Sequence, residues 1–257
     1  MQPIYVPGTS FLHKLHPLTK LTAMALVIVA IYLLPWLLAP IALFGLLLAL
    51  ARQSGVADRF LRTSLRVLLP LTLSLFIIQG ILFPPPGSTP LSIGPVALPR
   101  EGLAFAFLTS TRLLAFTGTF LLLLQTTHPA DLVFALTERG LPRSIGYILL
   151  VSLQIMPDMS ARATAILEAQ RSRGLETQGG LRRARALAPL IGPLVVGALV
   201  DVEERAMAIE SRAFLANTPK TTLRDLPDTP AQRMARLVML LMLVALVVGR
   251  IALALLT

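Results

Sequence analysis

Two arginines in this chain are each set between small residues, in Ser172-Arg173-Gly174 and again in Ser211-Arg212-Ala213. A guanidinium is a planar fork that grips a carboxylate with two hydrogen bonds, which a lysine cannot reproduce. Small flanking residues let a partner's backbone approach closely. The unit occurs twice, about 39 residues apart, and a twofold presentation suits a partner built from two similar subunits. The plainer reading stays open beside it: arginine near a helix C-terminus complements the helix dipole without any partner.

Other residues that could do chemistry are few. There is no cysteine, which excludes disulfides, thiolate metal sites and cysteine nucleophiles. No G-x-x-x-x-G-K-[ST] loop occurs, so the chain does not hydrolyse nucleotide by that route. No H-E-x-x-H motif or nucleophile elbow occurs either. His13 and His16 form a pair without a third ligand and read as surface or interface histidines rather than as a metal site. No cofactor is expected. Asp201, Glu203 and Glu204 beside Arg205 read as a solvated, ion-paired face. Arg112 lies inside an apolar run, where a charge costs about 2.5–3.5 kcal/mol on insertion scales. It therefore faces protein or water, either as an anchor between helices or on a substrate or ion pathway.

The elements that hold these residues belong to a membrane. Of 257 residues, 55% are hydrophobic and 14% charged, and the mean hydropathy is +0.76. The apolar residues come in runs of about 20, long enough to cross a bilayer as helices. The reading is an all-α polytopic protein of about five spans, near residues 20–34, 37–51, 67–83, 103–124 and 236–256. Pro35-Trp36 and Pro40 split the first long run into a hairpin. The net charge of +10 then reports cytoplasmic loops rather than nucleic acid, for which no aromatic platform is present. The N-terminus carries His13, Lys14, His16 and Lys20 and starts in the cytoplasm without a cleavable signal. Arg52, Arg59, Arg62 and Arg66 place the loop after the second span inside. Pro84-Pro85-Pro86-Gly87 opens an external loop. Five spans leave the C-terminus outside, with Arg250 snorkelling outward.

Between the fourth and last spans the chain leaves the hydrocarbon. Thr127 is the expected cap of a helix with Pro129 and Asp131 in its first turn, ending at Gly140. The apolar run Ile145 to Met156 is too short to span and predicts an interfacial or buried helix. Residues 158–173 predict a helix with Asp158 and Arg162 paired four apart and Gly174 as its stop. A basic loop through Arg182, Arg183 and Arg185 follows. A second long helix is expected over about 186–215, with Ile191, Val195, Ala198, Val202, Ala206, Ile209 and Ala213 on one stripe, its start kinked by Pro189 and Pro193. Asn217, Pro219 and Pro227 punctuate the loop after it. The expected domains are 1–124 as N-terminal spans, 125–233 as cytoplasmic coupling helices and 234–257 as the last span.

At these residues the sequence resembles the transmembrane T component of energy-coupling factor (ECF) transporters, over nearly the whole chain. The resemblance rests on an ordered set. It begins with His16-Pro17-Leu18-Thr19-Lys20-Leu21, similar to the family's D-P-R-T-K with two departures. It continues through Arg112, Thr126-Thr127, Pro129-Ala130-Asp131-Leu132, Gly140-Leu141-Pro142 and Pro157. It ends with Ala169-Gln170-Arg171-Ser172-Arg173-Gly174 and Glu210-Ser211-Arg212-Ala213-Phe214. The family's two signatures are Ala-Arg-Gly; here they stand as Ser-Arg-Gly and Ser-Arg-Ala.

The resemblance implies a non-catalytic scaffold in a prokaryotic cell (inner) membrane, with a cytoplasmic coupling domain of long crossing helices. Their ends, at Arg173 and Arg212, would dock into two ABC-type ATPases that hydrolyse the ATP. A separate substrate-binding membrane protein would ride on the coupling helices and release a vitamin or transition-metal ion inside. Three other readings compete. A secondary transporter would show inverted repeats and broken helices around a midplane site. A membrane enzyme would need an acid, base or metal constellation. An ordinary ABC permease would usually carry one coupling signature per chain.

Overall fold

The computed structural model describes residues 5–34, 38–83, 90–93, 96–174, 188–214 and 226–256. Its helices are α1 (Phe11–Lys14), α2 (Pro17–Leu33), α3 (Ala39–Gln53), α4 (Ala57–Leu75), α5 (Arg100–Thr126), α6 (Pro129–Glu138), α7 (Arg143–Ser172), α8 (Ala188–Ser211) and α9 (Pro230–Leu256). A π-helical segment, Phe76–Leu82, continues α4. The all-α expectation holds, with one addition: strands β1 (Pro90–Ile93) and β2 (Val96–Pro99) pair antiparallel, Pro90 opposite Pro99 and Ile93 opposite Val96.

The chain forms two compact units, one of Met1–Arg139 with Leu226–Thr257 and one of Gly140–Asp225. In the first unit, α5 is the central element. It packs against α2, α3, α4 and the π-helical segment, while α9 packs along α2. The core beside it gathers Leu12, Leu47, Ala51, Val56, Phe60 and Leu122. Phe44 and Phe60 stack with centroids 5.8 Å apart. Gly118 of α5 makes room for them: a Cβ there would lie 3.2 Å from both rings. Gly55, at φ +72°, turns the chain between α3 and α4, a conformation that costs glycine little.

Four helical stretches are long and apolar enough to cross a membrane: Ala57–Gly80, Arg100–Thr126, Arg143–Ser172 and Pro230–Leu255. Pro17–Leu33 and Ala39–Gln53 are shorter apolar helices. On α9, Leu237, Leu241, Val244, Val248 and Ile251 are all exposed. In water this would be untenable over such a length; in lipid an apolar exterior is the expected surface.

Three boundaries differ from those read in the sequence. The apolar run before Pro157 is not a separate short helix; it is the first half of the 30-residue α7. Pro157 removes one backbone donor, but the surrounding turns carry the helix through it, as at Pro70 in α4 and Pro193 in α8. The third span begins earlier, at Ala57, because the arginine-rich segment is itself helical. His128 rather than Thr127 caps α6, its side chain accepting from the Ala130 amide. A residue immediately before proline is biased to the extended backbone that a cap requires, and His128 has it, at ψ 130°. The expectations at Pro35-Trp36, Pro84 to Gly87, Arg182, Arg183, Arg185, Asn217 and Pro219 lie outside the described residues.

Candidate docking site

The two arginine motifs end two helices of one compact unit, and in each the arginine is followed by a left-handed residue. Ser172 is the last residue of α7 and its hydroxyl donates to the Glu168 carbonyl at 3.1 Å. Ser211 is the last residue of α8 and its hydroxyl donates to the Ala208 carbonyl, also at 3.1 Å. Arg173 and Arg212 follow as the capping positions, and both are exposed. The third residue of each motif then turns left-handed, Gly174 at φ +89° and Ala213 at φ +50°.

The backbone bonds explain why that residue is small. The Gly174 amide donates to the Arg171 carbonyl at 2.9 Å, and the Ala213 amide donates to the Glu210 carbonyl at 2.9 Å. The Phe214 amide then reaches back to the Ile209 carbonyl at 3.1 Å. That pair of bonds at the end of α8 is the Schellman arrangement, which closes a helix with one left-handed residue. Glycine adopts it freely; alanine does so against a steric cost of about 1–2 kcal/mol. Spacing alone read the small residues as clearance for a partner. The structure adds a local reason: they release the chain sharply after the arginine and leave the guanidinium at an exposed corner.

α7 and α8 run in opposite senses. Tyr147, near the start of α7, meets Phe214, beyond the end of α8, with ring centroids 5.1 Å apart. In their middles, Arg162 pairs with Asp201 at 3.1 Å. The sequence suggested Asp158 as the Arg162 partner, four positions away; the cross-helix carboxylate takes that role instead, because a packed neighbouring helix brings it within reach. Ile191, Val195 and Val202 of the expected stripe are exposed on α8, as are Ile145, Ile148 and Leu153 on α7.

Residues 8–223 match the family described as cobalt transport protein, CbiQ. A protein of Heliobacterium modesticaldum named energy-coupling factor transporter transmembrane protein EcfT is 32% identical to the chain. That match covers 86% of each. EcfT proteins of Brevibacillus brevis and Bacillus subtilis are each 30% identical, over 86% of this chain and 87% of the relative. The chain belongs to the CbiQ/EcfT family of ECF-transporter transmembrane proteins. As a family member it is a membrane protein of transport.

The EcfT-like chain also carries a polar hub in its first unit that the sequence did not disclose. Asp228 accepts from Arg236 Nη2 at 2.7 and 2.8 Å and from Arg233 Nε at 3.2 Å. Arg139 Nη2 lies 3.7 Å away. Arg236 is buried, 6% exposed, and also donates to Thr19 Oγ1 at 3.3 Å. Gln232 Oε1 accepts from the His16 amide at 2.8 Å. These bonds tie the starts of α2 and α9 to the end of α6. The guanidinium of Arg236 holds the Asp228 carboxyl below its ordinary range, while burial pushes His16 down from its own. The only available signal in sequence was a pair of charges at the start of an apolar run, which resembles an ordinary span flank.

His16 sits in the position that the family's D-P-R-T-K motif gives to aspartate. It caps α2, its Nδ1 accepting from the Leu18 amide at 3.3 Å. His13 is bound on both ring nitrogens, to Ser10 Oγ at 2.7 Å and the Val6 carbonyl at 2.9 Å. All three histidines line one cleft of about 300 Å³. Among the described residues no group of three or more His, Cys, Asp or Glu could hold a metal ion. Arg112 is half-buried in α5, and its Nε has no hydrogen-bond partner among the described residues. Ser110 Oγ and Gln79 Oε1 are likewise buried and unpaired there.

Proposed function

We propose that this chain is the non-catalytic coupling subunit of an ATP-driven importer for a vitamin or a transition-metal ion. The observation that carries the reading is the matched pair of helix ends at Arg173 and Arg212. Each presents an exposed guanidinium at the negative end of a helix, just before a left-handed turn. Two equivalent cations suit two equivalent carboxylate-bearing grooves, one on each of two ABC-type ATPases. The relatives' name, a transmembrane protein of an energy-coupling factor transporter, supports the same assignment.

In this reading residues 125–233 form the cytoplasmic coupling domain between the membrane segments 1–124 and 234–257. Closure of the ATPase pair on ATP brings Arg173 and Arg212 toward each other. α7 and α8 carry that displacement, and their exposed apolar faces hold a separate substrate-binding membrane protein, which tips to release its cargo inside. Hydrolysis takes place on the partner ATPases, and the cargo is selected by the substrate-binding protein. Arg112 serves the packing of the spans.

Affinity purification from mild detergent tests this. The tagged native chain brings down ABC-type ATPases and a small hydrophobic protein. Arg173→Ala with Arg212→Ala leaves the chain in the membrane and abolishes ATPase recovery. Unchanged recovery refutes the docking role. A native chain that is folded yet consistently alone favours a self-sufficient transporter, with Arg112 the first residue to replace.

A further inference from the structure

The docking arginines sit symmetrically about one ion pair. Arg162 of α7 and Asp201 of α8 are 39 positions apart and joined at 3.1–3.2 Å. Arg173 follows Arg162 by eleven positions, and Arg212 follows Asp201 by the same eleven. Since the two helices run in opposite senses, the arginines end two equal arms pointing away from the pair. At 1.5 Å of rise per residue each arm is about 16 Å long.

The pair has a prepared seat. Gly197 lies one helical turn before Asp201 on α8, and an added Cβ there would come 2.6 Å from Arg162 Nη1 and 3.5 Å from its Cζ. A Cβ there would make the flexible end of the Arg162 side chain shift, and a bulkier side chain would fill the space that the guanidinium occupies. Gly197 is at an ordinary helical position, where glycine costs about 1 kcal/mol relative to alanine. Its space is what Arg162 uses.

We propose that Arg162 and Asp201, seated over Gly197, form the pivot of a two-armed lever. They are positioning residues: they touch no ATPase, and they set the distance and angle between the two docking arginines. A pivot equidistant from both tips converts an inward pull on either arm into an equal rotation of the two helices. This rests on the docking reading for its purpose, but its geometry is testable in the chain alone.

The chain has no native cysteine, so Glu168→Cys and Met207→Cys give two unique spin-label sites. Both residues are exposed, each six positions beyond its pivot residue. Pulsed electron resonance on the full chain in nanodiscs is expected to give one narrow distance distribution. Arg162→Ala or Asp201→Asn broadens it at least twofold, and Asp201→Glu keeps it narrow. Gly197→Leu broadens it although both charges remain. Unchanged distributions in Arg162→Ala and Gly197→Leu overturn the pivot. In the reconstituted complex, Arg162→Ala keeps ATPase recovery but lowers ATP-driven uptake at least tenfold; undiminished uptake alongside a broadened distribution overturns the transmitting role. Loss of the docking reading shows separately, as a native chain that recovers no ATPase while its distance distribution still responds to the pivot.

Discussion

Arg236 donates to both carboxylate oxygens of Asp228, at 2.8 and 2.7 Å, from a side chain almost wholly removed from solvent. A buried guanidinium depends on such a partner, since desolvation is costly and only a close carboxylate offsets it. Asp228→Ala is expected to lower the stability of the detergent-solubilised chain by about 3–5 kcal/mol. Adding Arg236→Met, which removes the stranded charge while keeping an apolar stem, recovers most of the loss. Thermal unfolding of the two variants checks this; equal melting temperatures refute it.

The left-handed alanine makes a prediction of the opposite sign. Ala213→Gly relieves a φ of +50° that alanine tolerates poorly, so the end of α8 gains about 1 kcal/mol. Gly174→Ala introduces the same cost at φ +89° and frays the end of α7 by a similar amount. Amide exchange at the final turns of α7 and α8 reads both. Slower exchange in Gly174→Ala would contradict the shared turn.

His16 couples stability to pH. Its Nδ1 accepts a backbone amide as the cap of α2, and burial lowers its pKa. The folded state therefore binds the proton less well than the unfolded chain, whose imidazole titrates near ~6.5. This contribution is fully present above that value and is lost as pH falls through the lower, folded pKa. Asp228, also lowered, acts only further into acid, below the ordinary carboxylate range. His16→Asp keeps an accepting cap and is expected to flatten the stability profile between about pH 5 and 7. An unaltered profile would exclude His16.

At Gly118 the first unit offers a packing test. A Cβ would lie 3.2 Å from both Phe44 and Phe60, whose rings are already stacked. Gly118→Val is expected to cost about 1–3 kcal/mol through overpacking, and Phe44→Leu in the same chain recovers part of it. Thermal unfolding of the single and double variants decides.

The sidedness of the second unit follows from its proposed contact with ATPases. Single cysteines at Gln178 and Thr221, which follow α7 and α8 in the sequence, are expected to resist impermeant thiol reagents in intact cells and react once the membrane is opened. Rapid labelling of intact cells would invert the arrangement.

The sequence by itself determined the membrane class, because apolar runs of span length have no other stable home. It also determined the two arginine units, because their residue types recur at matching helix ends. Tertiary structure alone decided the partners. Arg162 had a carboxylate four positions away on its own helix, and only the antiparallel packing of α7 and α8 brings Asp201 to it across Gly197. Asp228, Arg236, Gln232 and His16 are separated by up to 220 positions, and nothing local distinguishes a buried Arg236 from a snorkelling one. Periodicity reports which face of a helix is apolar. It carries no information about which distant side chain the opposite face will meet, and in this protein that meeting selects the ion pairs.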